Sequence, residues 1–239
     1  TFNDNCGGLN KPGSLVLGLA SGSEFPLGTP PVEYWYFDPS GNGGAGSFSA
    51  TGSMGTARQG HRAVALPGGK VLVVGGTDGT GNSLASAELF DPAGNGGAGS
   101  FSPTGSMSQA RNQPLVALLP SGKVLVAGGL SKVNVFPLLT AEIFDPAGNG
   151  GAGSFSSTAS MTLVRLETAA VTLAGGKVLI PGGYDGNSDR NTAELFDPAG
   201  NGGAGTFVAT LNLASARSRG TVTALPSGKA LIAGGDDQN

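Results

Sequence analysis

One twelve-residue segment recurs four times in this chain, and no other feature constrains the fold as strongly. It reads Phe-Asp-Pro-Ala/Ser-Gly-Asn-Gly-Gly-Ala-Gly-Ser/Thr-Phe, and its aspartates follow one another at spacings of 53, 54 and 52 residues. A period near 50 residues indicates supersecondary units that stack, because one such unit cannot bury its apolar surface alone. The 239-residue chain therefore contains four units. The four aspartates are Asp38, Asp91, Asp145 and Asp197.

Each unit contains four segments that are typical of β-strands. Strand a lies between an arginine and a lysine twelve positions later, and strand b follows the lysine and ends in Gly-Gly. A loop of variable sequence leads to strand c, for example Ala87–Asp91, and the glycine-rich loop leads to strand d. Glycine at 44 positions and 38% hydrophobic residues suit short strands joined by tight turns. The arginines are Arg58, Arg111, Arg165 and Arg217, and the lysines are Lys70, Lys123, Lys177 and Lys229.

Strand b has no polar face, as Val71–Val74 illustrates, and this indicates burial on both sides. A four-stranded antiparallel sheet with two apolar faces needs a neighbouring sheet on each of them. Radial stacking of such sheets gives a β-propeller. The sequence thus predicts an all-β fold built from four-stranded blades.

The units resemble the kelch family, which has an arginine with a histidine three positions on (Arg58 and His61), a Gly-Gly strand, a Glu-x-x-Asp strand and an aromatic strand. The stretch Leu-Pro-x-Gly-Lys-Val-Leu-Val-x-Gly-Gly is most similar to bacterial kelch repeats. The resemblance covers residues 32–235 and implies the kelch-type β-propeller that is also found in galactose oxidase. Phenylalanine replaces the family's strand-d tryptophan in every unit, so we expect Phe101 and Phe155 to be buried between blades.

The repeat divides residues 32–239 into four units and two final strands, after an N-terminal extension at 1–31 with a degenerate strand at 14–19. Strands c and d of residues 32–54 and strands a and b of 219–235 add up to one composite blade. This favours a closed four-bladed ring over an arc of a larger propeller. The spare strand at 14–19 points the other way, towards further blades or another subunit. The units are 32–57, 58–110, 111–164 and 165–216, with closing strands at 217–235.

Repeated charges predict two sets of ion pairs. Because strands alternate in direction, the d-to-a and b-to-c connections lie on one face, which we call the loop face. There the four arginines are expected to pair with glutamates near the start of strand c, and in a closed ring Arg217 pairs with Glu33. The alternative is that Arg58, Arg111, Arg165 and Arg217 ring the channel mouth and bind an anion. On the opposite face, each lysine is expected to pair with an aspartate that closes strand c. The glutamates are Glu33, Glu88, Glu142 and Glu194.

The variable loops 77–86, 130–139 and 184–192 share the loop face, and variable loops on a rigid frame are where binding is usually found. The segment from Asp185 resembles the front half of a calcium loop, but Phe196 stands where the closing glutamate belongs. A polar turn is the favoured interpretation, calcium is the alternative, and no other cofactor is expected. The candidate binding residues are Asp78, Phe136, Tyr184 and Asp185, and the candidate calcium ligands are Asp185, Asn187 and Asp189.

The inventory of reactive residues argues against catalysis by this chain. A copper radical site of the galactose oxidase type needs two histidines and two tyrosines, one of them crosslinked to cysteine. The chain has one histidine, His61, and its single cysteine, Cys6, lies outside the repeats. A Ser-His-Asp triad has only His61 to use. Because kelch repeats carry a structural histidine at this position, His61 is expected to pack in the core.

Charge and hydropathy exclude several partners. A net charge of −3 with 12% charged residues predicts no nucleic-acid binding, and the apolar runs are too short for membrane insertion. Two functions remain open. The first is a non-catalytic binding or scaffolding module that is secreted, periplasmic or at the cell surface and takes a protein or carbohydrate partner. The alternative is the non-catalytic propeller of a larger secreted enzyme with its catalytic site elsewhere.

Overall fold

A computed structural model describes the backbone of residues 35–38, 47–131 and 137–236, and the side chains from residue 50 onward. These ranges contain short β-strands and three helical turns, at Asn95–Gly97, Asn149–Gly151 and Gly200–Gly203. The strands are β1 (Trp35–Asp38), β2 (Ser47–Ala50), β3 (Arg62–Ala65), β4 (Val71–Val74), β5 (Ala87–Asp91), β6 (Ser100–Pro103), β7 (Leu115–Leu118), β8 (Val124–Ala127), β9 (Ala141–Asp145), β10 (Ser154–Ser157), β11 (Val171–Thr172), β12 (Val178–Pro181), β13 (Ala193–Asp197), β14 (Thr206–Ala209), β15 (Thr221–Ala224) and β16 (Ala230–Ala233).

The strands form three complete antiparallel blades and two strand pairs. Blade I is β3–β6, blade II is β7–β10 and blade III is β11–β14, each with its strands paired in chain order. The N-terminal pair is β1–β2, and the C-terminal pair is β15–β16. The predicted order a, b, c, d is confirmed in every complete blade.

Strand b is buried on both sides, as its sequence predicts. In β8, Val124 and Val126 belong to the core between blades I and II, whereas Leu125 and Ala127 belong to the core between blades II and III. Each side of the strand therefore packs against a different neighbouring sheet. This alternation links the apolar sequence of strand b directly to the stacking of blades.

The phenylalanines of strands c and d stack within each blade, with ring centroids 4.8 to 4.9 Å apart. In blades II and III strand c supplies the deeper ring, because Phe144 and Phe196 are 0% and 1% exposed, whereas Phe90 in blade I is half-buried. Phe101 and Phe155 are only half-buried, and Phe155 packs at the margin of the core between blades I and II. The expectation that Phe101 and Phe155 are fully buried is thus corrected, since strand c lies nearer the middle of the sheet. In blade III the strand-d ring, Phe207, does belong to the buried core.

Strand a is the innermost strand of each blade. β3 lies beside β7, β7 beside β11, and β11 beside β15, so the blades stack radially around these strands. Their inner surface lines an apolar groove of about 530 Å³, with residues such as Val64, Val116 and Val171. The chain has the architecture of a kelch-type propeller.

Closure of the ring stays a prediction. Within the described residues, β1–β2 and β15–β16 are separate two-stranded sheets. Glu33, Cys6, the extension 1–31 and the degenerate strand at 14–19 lie outside the residues that the structure describes. The predicted pair of Arg217 with Glu33 is therefore not tested.

The glycine-rich loop adopts one backbone conformation in three copies, as expected from its repeated sequence. Its second and third residues in the helical turn have φ of 66° and 92° at Gly96 and Gly97, and 65° and 92° at Gly150 and Gly151. The third copy matches these values at Gly202 and Gly203. Glycine is needed here because other residues rarely adopt positive φ. The fourth copy, at 39–46, lies outside the described residues.

Candidate binding face

Three arginines of the d-to-a connections form buried ion pairs on the loop face. The nitrogen-to-oxygen distances are 2.9 Å for Arg58–Glu88, 3.1 Å for Arg111–Glu142 and 3.0 Å for Arg165–Glu194. All three arginine side chains are 0% exposed. The predicted pairing is confirmed in each complete blade.

Further hydrogen bonds connect each ion pair to the backbone of the loops around it. In blade III, Arg165 donates to the carbonyls of Gly182 and Thr192, both at 2.7 Å, which join strand b to the following loop. The Glu194 carboxylate also accepts the backbone N–H of Thr162 at 2.7 Å and of Leu163 at 3.3 Å. Such additional bonds offset the desolvation of the two buried charges.

The pairing leaves these three guanidinium groups without solvent-exposed surface, so it accounts for Arg58, Arg111 and Arg165 without an anion. Arg217 differs. It is half-buried, donates to the Gly234 carbonyl at 2.7 Å and the Ser215 hydroxyl at 2.9 Å, and pairs with no carboxylate of the described residues.

A second repeated feature of the loop face is a residue in the left-handed region, two positions after each arginine. The φ angles are 64° at Gly60, 51° at Gln113, 52° at Glu167 and 57° at Arg219. Positive φ strains a non-glycine residue, and strained positions cluster at functional sites. We call these four positions the left-handed set. Sequence reasoning missed them, although Gly60 carried the signal because glycine often marks positive φ.

The left-handed set lies next to the innermost strands and is connected from blade to blade. The N–H of Gln113 donates to the carbonyl of Gly60 at 2.9 Å, and Arg219 forms an ion pair with Glu167 at 3.0 Å. Gln113 and Arg219 are exposed. The same backbone position thus presents side chains of different chemistry in successive units.

Two buried polar atoms lie close to this set. Asn112 is 8% exposed, and its Oδ1 has no hydrogen-bond partner. His61 is half-buried with an unpartnered Nδ1, which fits the expected packing role only in part. Burial, with smaller contributions from Arg58 and Arg62, lowers the pKa of His61 below its usual value. The imidazole is therefore held in its neutral form near pH 7.

The loop of Asp78 is a rigid polar turn. The Asp78 carboxylate accepts the N–H of Thr80 and of Asn82, both at 2.9 Å, and the Thr80 hydroxyl at 2.7 Å. These bonds, led by the Thr80 hydroxyl, lower the pKa of Asp78 to about 2. An ordered, exposed and negatively charged turn results on the loop face.

The corresponding loop of blade III is similar. Asp185 accepts the N–H of Asn187 at 2.9 Å and of Ser188 at 2.8 Å, and it forms an ion pair with Arg190. Tyr184 is half-buried and bridges to Leu166 through the backbone. In the calcium interpretation, the carboxylate of Asp185 would bind the ion together with Asn187 and Asp189. In the structure, this carboxylate already accepts the N–H groups of the turn and pairs with Arg190. Phe136 lies outside the described residues.

No group of three or more His, Cys, Asp or Glu side chains is placed to hold a metal ion in the part of the chain that the structure describes. The same part contains no helix that is long and apolar enough to cross a membrane.

The opposite face carries the second predicted set of ion pairs. Lys70–Asp91 measures 3.0 Å, and Lys123–Asp145 and Lys177–Asp197 both measure 2.8 Å. These pairs are solvent-exposed, and the lysine hydrogen bonds lower the pKa of each aspartate. They repeat one chemistry in every blade, so this face lacks the side-chain variety of the loop face. The partner predicted for Lys229, Asp38, has no described side chain.

Comparison with family models gives two matches. The kelch motif matches residues 60–95, which span strands a to c of blade I. The HYR domain matches residues 1–51, which include the predicted extension and the N-terminal pair β1–β2. A search of the curated proteins found no significant match.

Two solved structures show the same fold. YjhT is 14% identical, with a TM-score of 0.62 over 80% of this chain and 66% of YjhT. A fungal alcohol oxidase of the AA5 family, solved in complex with copper, is 26% identical, with a TM-score of 0.54 over 64% of this chain and 33% of the oxidase. The chain thus corresponds to only part of each protein. Together with the three repeated blades, these matches support the fold of a kelch-repeat β-propeller.

Proposed function

We propose that this chain is a non-catalytic binding module that recognises a protein or carbohydrate outside the cytoplasm through its loop face. A kelch propeller supports a binding or scaffolding role in general terms. The observation that carries the proposal is the left-handed set, in which Gly60, Gln113, Glu167 and Arg219 place different chemistries at one repeated backbone position. The backbone is strained there in the three units that lack the glycine. Strain that recurs while the side chain varies is typical of a recognition surface.

The surroundings of the set suit a polar ligand. Asp78 and Asp185 hold neighbouring loops in ordered turns, and Tyr184 adds a half-buried aromatic ring. Polar groups on ordered loops together with an aromatic ring favour sugar hydroxyls or a polar protein surface.

A glycan array and a panel of purified extracellular proteins, probed with the full chain, test this proposal. Binding should fall at least about tenfold in Gln113→Ala and Tyr184→Ala, because a tenfold change needs only about 1.4 kcal/mol of lost contact. Lys123→Gln, on the opposite face, is the matched control and should bind as well as the wild type. Loss of binding in Lys123→Gln alone, or no binding to either panel, would overturn the proposal.

A second candidate function rests on the similarity to the alcohol oxidase, of which this chain covers 33%. In this alternative the propeller is a non-catalytic domain of a larger secreted enzyme. Alcohol oxidation by the full-length protein, but not by residues 1–239, would favour it over an independent binding module.

A further inference from the structure

Blade I carries a charged residue at a position that is uncharged in the other units. Arg62 is the first residue of β3 and pairs with Val74, just as Leu115 begins β7 and pairs with Ala127. Leu115 is buried in the core between blades II and III. Arg62 therefore takes the place of a core leucine at the loop-face end of an innermost strand. The corresponding residues of the last two units are Ala169 and Thr221.

The guanidinium of Arg62 pairs with no carboxylate in the part of the chain that the structure describes. The residue is half-buried, and within that part its Nη1 donates one hydrogen bond, to the carbonyl of His61 at 3.3 Å. Burial lowers the pKa of Arg62, whereas for Arg111 the carboxylate of Glu142 opposes the effect of burial. Because arginine stays charged even when its pKa falls, Arg62 presents a partly desolvated cation with donors to spare.

Two neighbouring side chains add polar groups beside this cation. A β-carbon at Gly60 would lie 3.3 Å from Cγ of Gln113, so glycine lets the exposed Gln113 side chain lie over the segment that leads to Arg62. Burial is the main cause that lowers the pKa of His61, and the charges of Arg58 and Arg62 lower it further, which places the imidazole near both guanidinium groups. The junction of blades I and II thus combines a guanidinium, a carboxamide and a neutral imidazole on the loop face.

The exposed apolar side chains of the loop face favour a protein over a carbohydrate as the ligand. Leu139 and Leu163 are 39% and 41% exposed, and a hydrogen bond of 2.9 Å from the N–H of Met161 to the carbonyl of Leu139 joins their loops. Among the side chains that the structure describes, none of the aromatic rings is fully exposed. Sugar rings pack mainly against aromatic faces, whereas exposed leucines pack against apolar side chains of a protein.

We infer, building on the proposed function, that a protein partner binds the loop face with an aspartate or glutamate that pairs with Arg62 at the junction of blades I and II. The planar guanidinium donates to the carboxylate of the partner, and the carboxamide of Gln113 donates a further hydrogen bond to it. Aliphatic side chains of the same partner pack on Leu139 and Leu163. The positive charge of Arg62, which no carboxylate of the described residues balances, thus selects an acidic partner surface.

Random peptides displayed on phage and selected on the immobilised full chain are the probe. We expect the selected peptides to be enriched in aspartate or glutamate together with leucine or isoleucine. The tightest of them, synthesised with a fluorescent label, should bind about tenfold more weakly to Arg62→Leu by fluorescence anisotropy, because charge-assisted hydrogen bonds are the strong ones. Arg62→Leu copies the residue of blade II and should fold like the wild type. Lys177→Gln, on the opposite face, is the control and should bind the peptide as the wild type does.

The same peptide with its acidic residue changed to glutamine tests the ion pair without any change in the protein. Its binding to the wild-type chain should weaken by a similar factor, and Arg62→Leu should weaken it no further, since both changes remove one interaction. Selected peptides without acidic residues, additive effects of the two changes, or binding to glycans alone would overturn the inference and leave the loop face as a binding surface. A chain that binds neither peptides, proteins nor glycans would overturn the proposed function as well.

Discussion

Blade II and the C-terminal pair have similarly apolar strand-b sequences, yet they differ sharply in burial within the described residues. All four residues of β8, Val-Leu-Val-Ala, are buried, whereas β16, Ala-Leu-Ile-Ala, alternates between half-buried and exposed residues. Both strands form and pair with strand a. Within the described residues, strand b therefore forms with strand a alone beside it, but the burial of both its sides depends on strand c and the next blade.

The largest expected difference between the two regions concerns the arginines. Glu194→Gln leaves Arg165 buried without its counter-charge and should lower the free energy of unfolding by about 3–5 kcal/mol. Arg217→Gln should lower it by less than about 1 kcal/mol, because Arg217 is half-buried and pairs with no carboxylate of the described residues. Urea unfolding of the two variants measures both values. Equal losses would mean that Arg217 has a buried partner and that the comparison fails.

Equivalent leucines offer the next test. Leu125 is 1% exposed between blades II and III, and Leu231 occupies the same position of strand b in the C-terminal pair. Leu125→Ala should cost about 2–5 kcal/mol through the cavity it leaves. Leu231→Ala should change stability by less than about 0.5 kcal/mol, as for other exposed positions. If the Leu231 variant lost as much as the Leu125 variant, a closed ring would have to cover β16.

Sequence patterns predicted most of what depends on a repeated contact. The strand order, the pairs of Arg58, Arg111 and Arg165 with their glutamates, and the lysine pairs follow from charges that recur at fixed spacing. Two features could not be predicted from the sequence patterns. The depth of Phe144 relative to Phe155 depends on which strand lies inside the sheet, and the left-handed set has no common residue type. A backbone conformation shared by four different residue types leaves no repeated letter in the sequence.

The left-handed set predicts a smaller effect that again differs between the regions. Gln113→Gly, before blade II, should raise the free energy of unfolding by up to about 1 kcal/mol, because glycine relieves the strain of positive φ. Arg219→Gly, before the C-terminal pair, relieves the same strain but removes exposed ion pairs to Glu167 and Asp236, so its net gain should be smaller. Thermal unfolding of both variants shows which of the two substitutions stabilises the chain more. A loss of stability in Gln113→Gly would show that its side chain supports the fold.

The smallest expected effect distinguishes blade I from every other unit, because only blade I has a histidine three positions after its arginine. The other units have Pro114, Thr168 and Gly220 there. Burial lowers the pKa of His61 in the folded chain, so the unfolded chain binds the proton more readily. Above a pH of about 6.5, the pKa of an unfolded histidine, His61 is mainly neutral in both states and does not lower stability. As the pH falls below that value, the unfolded chain binds the proton first, and the folded state loses stability. NMR titration of this single histidine should give a pKa below 6.5, and His61→Thr, which copies blade III, should remove this part of the pH dependence. A pKa above 6.5 would reverse the sign and place a carboxylate beside the imidazole.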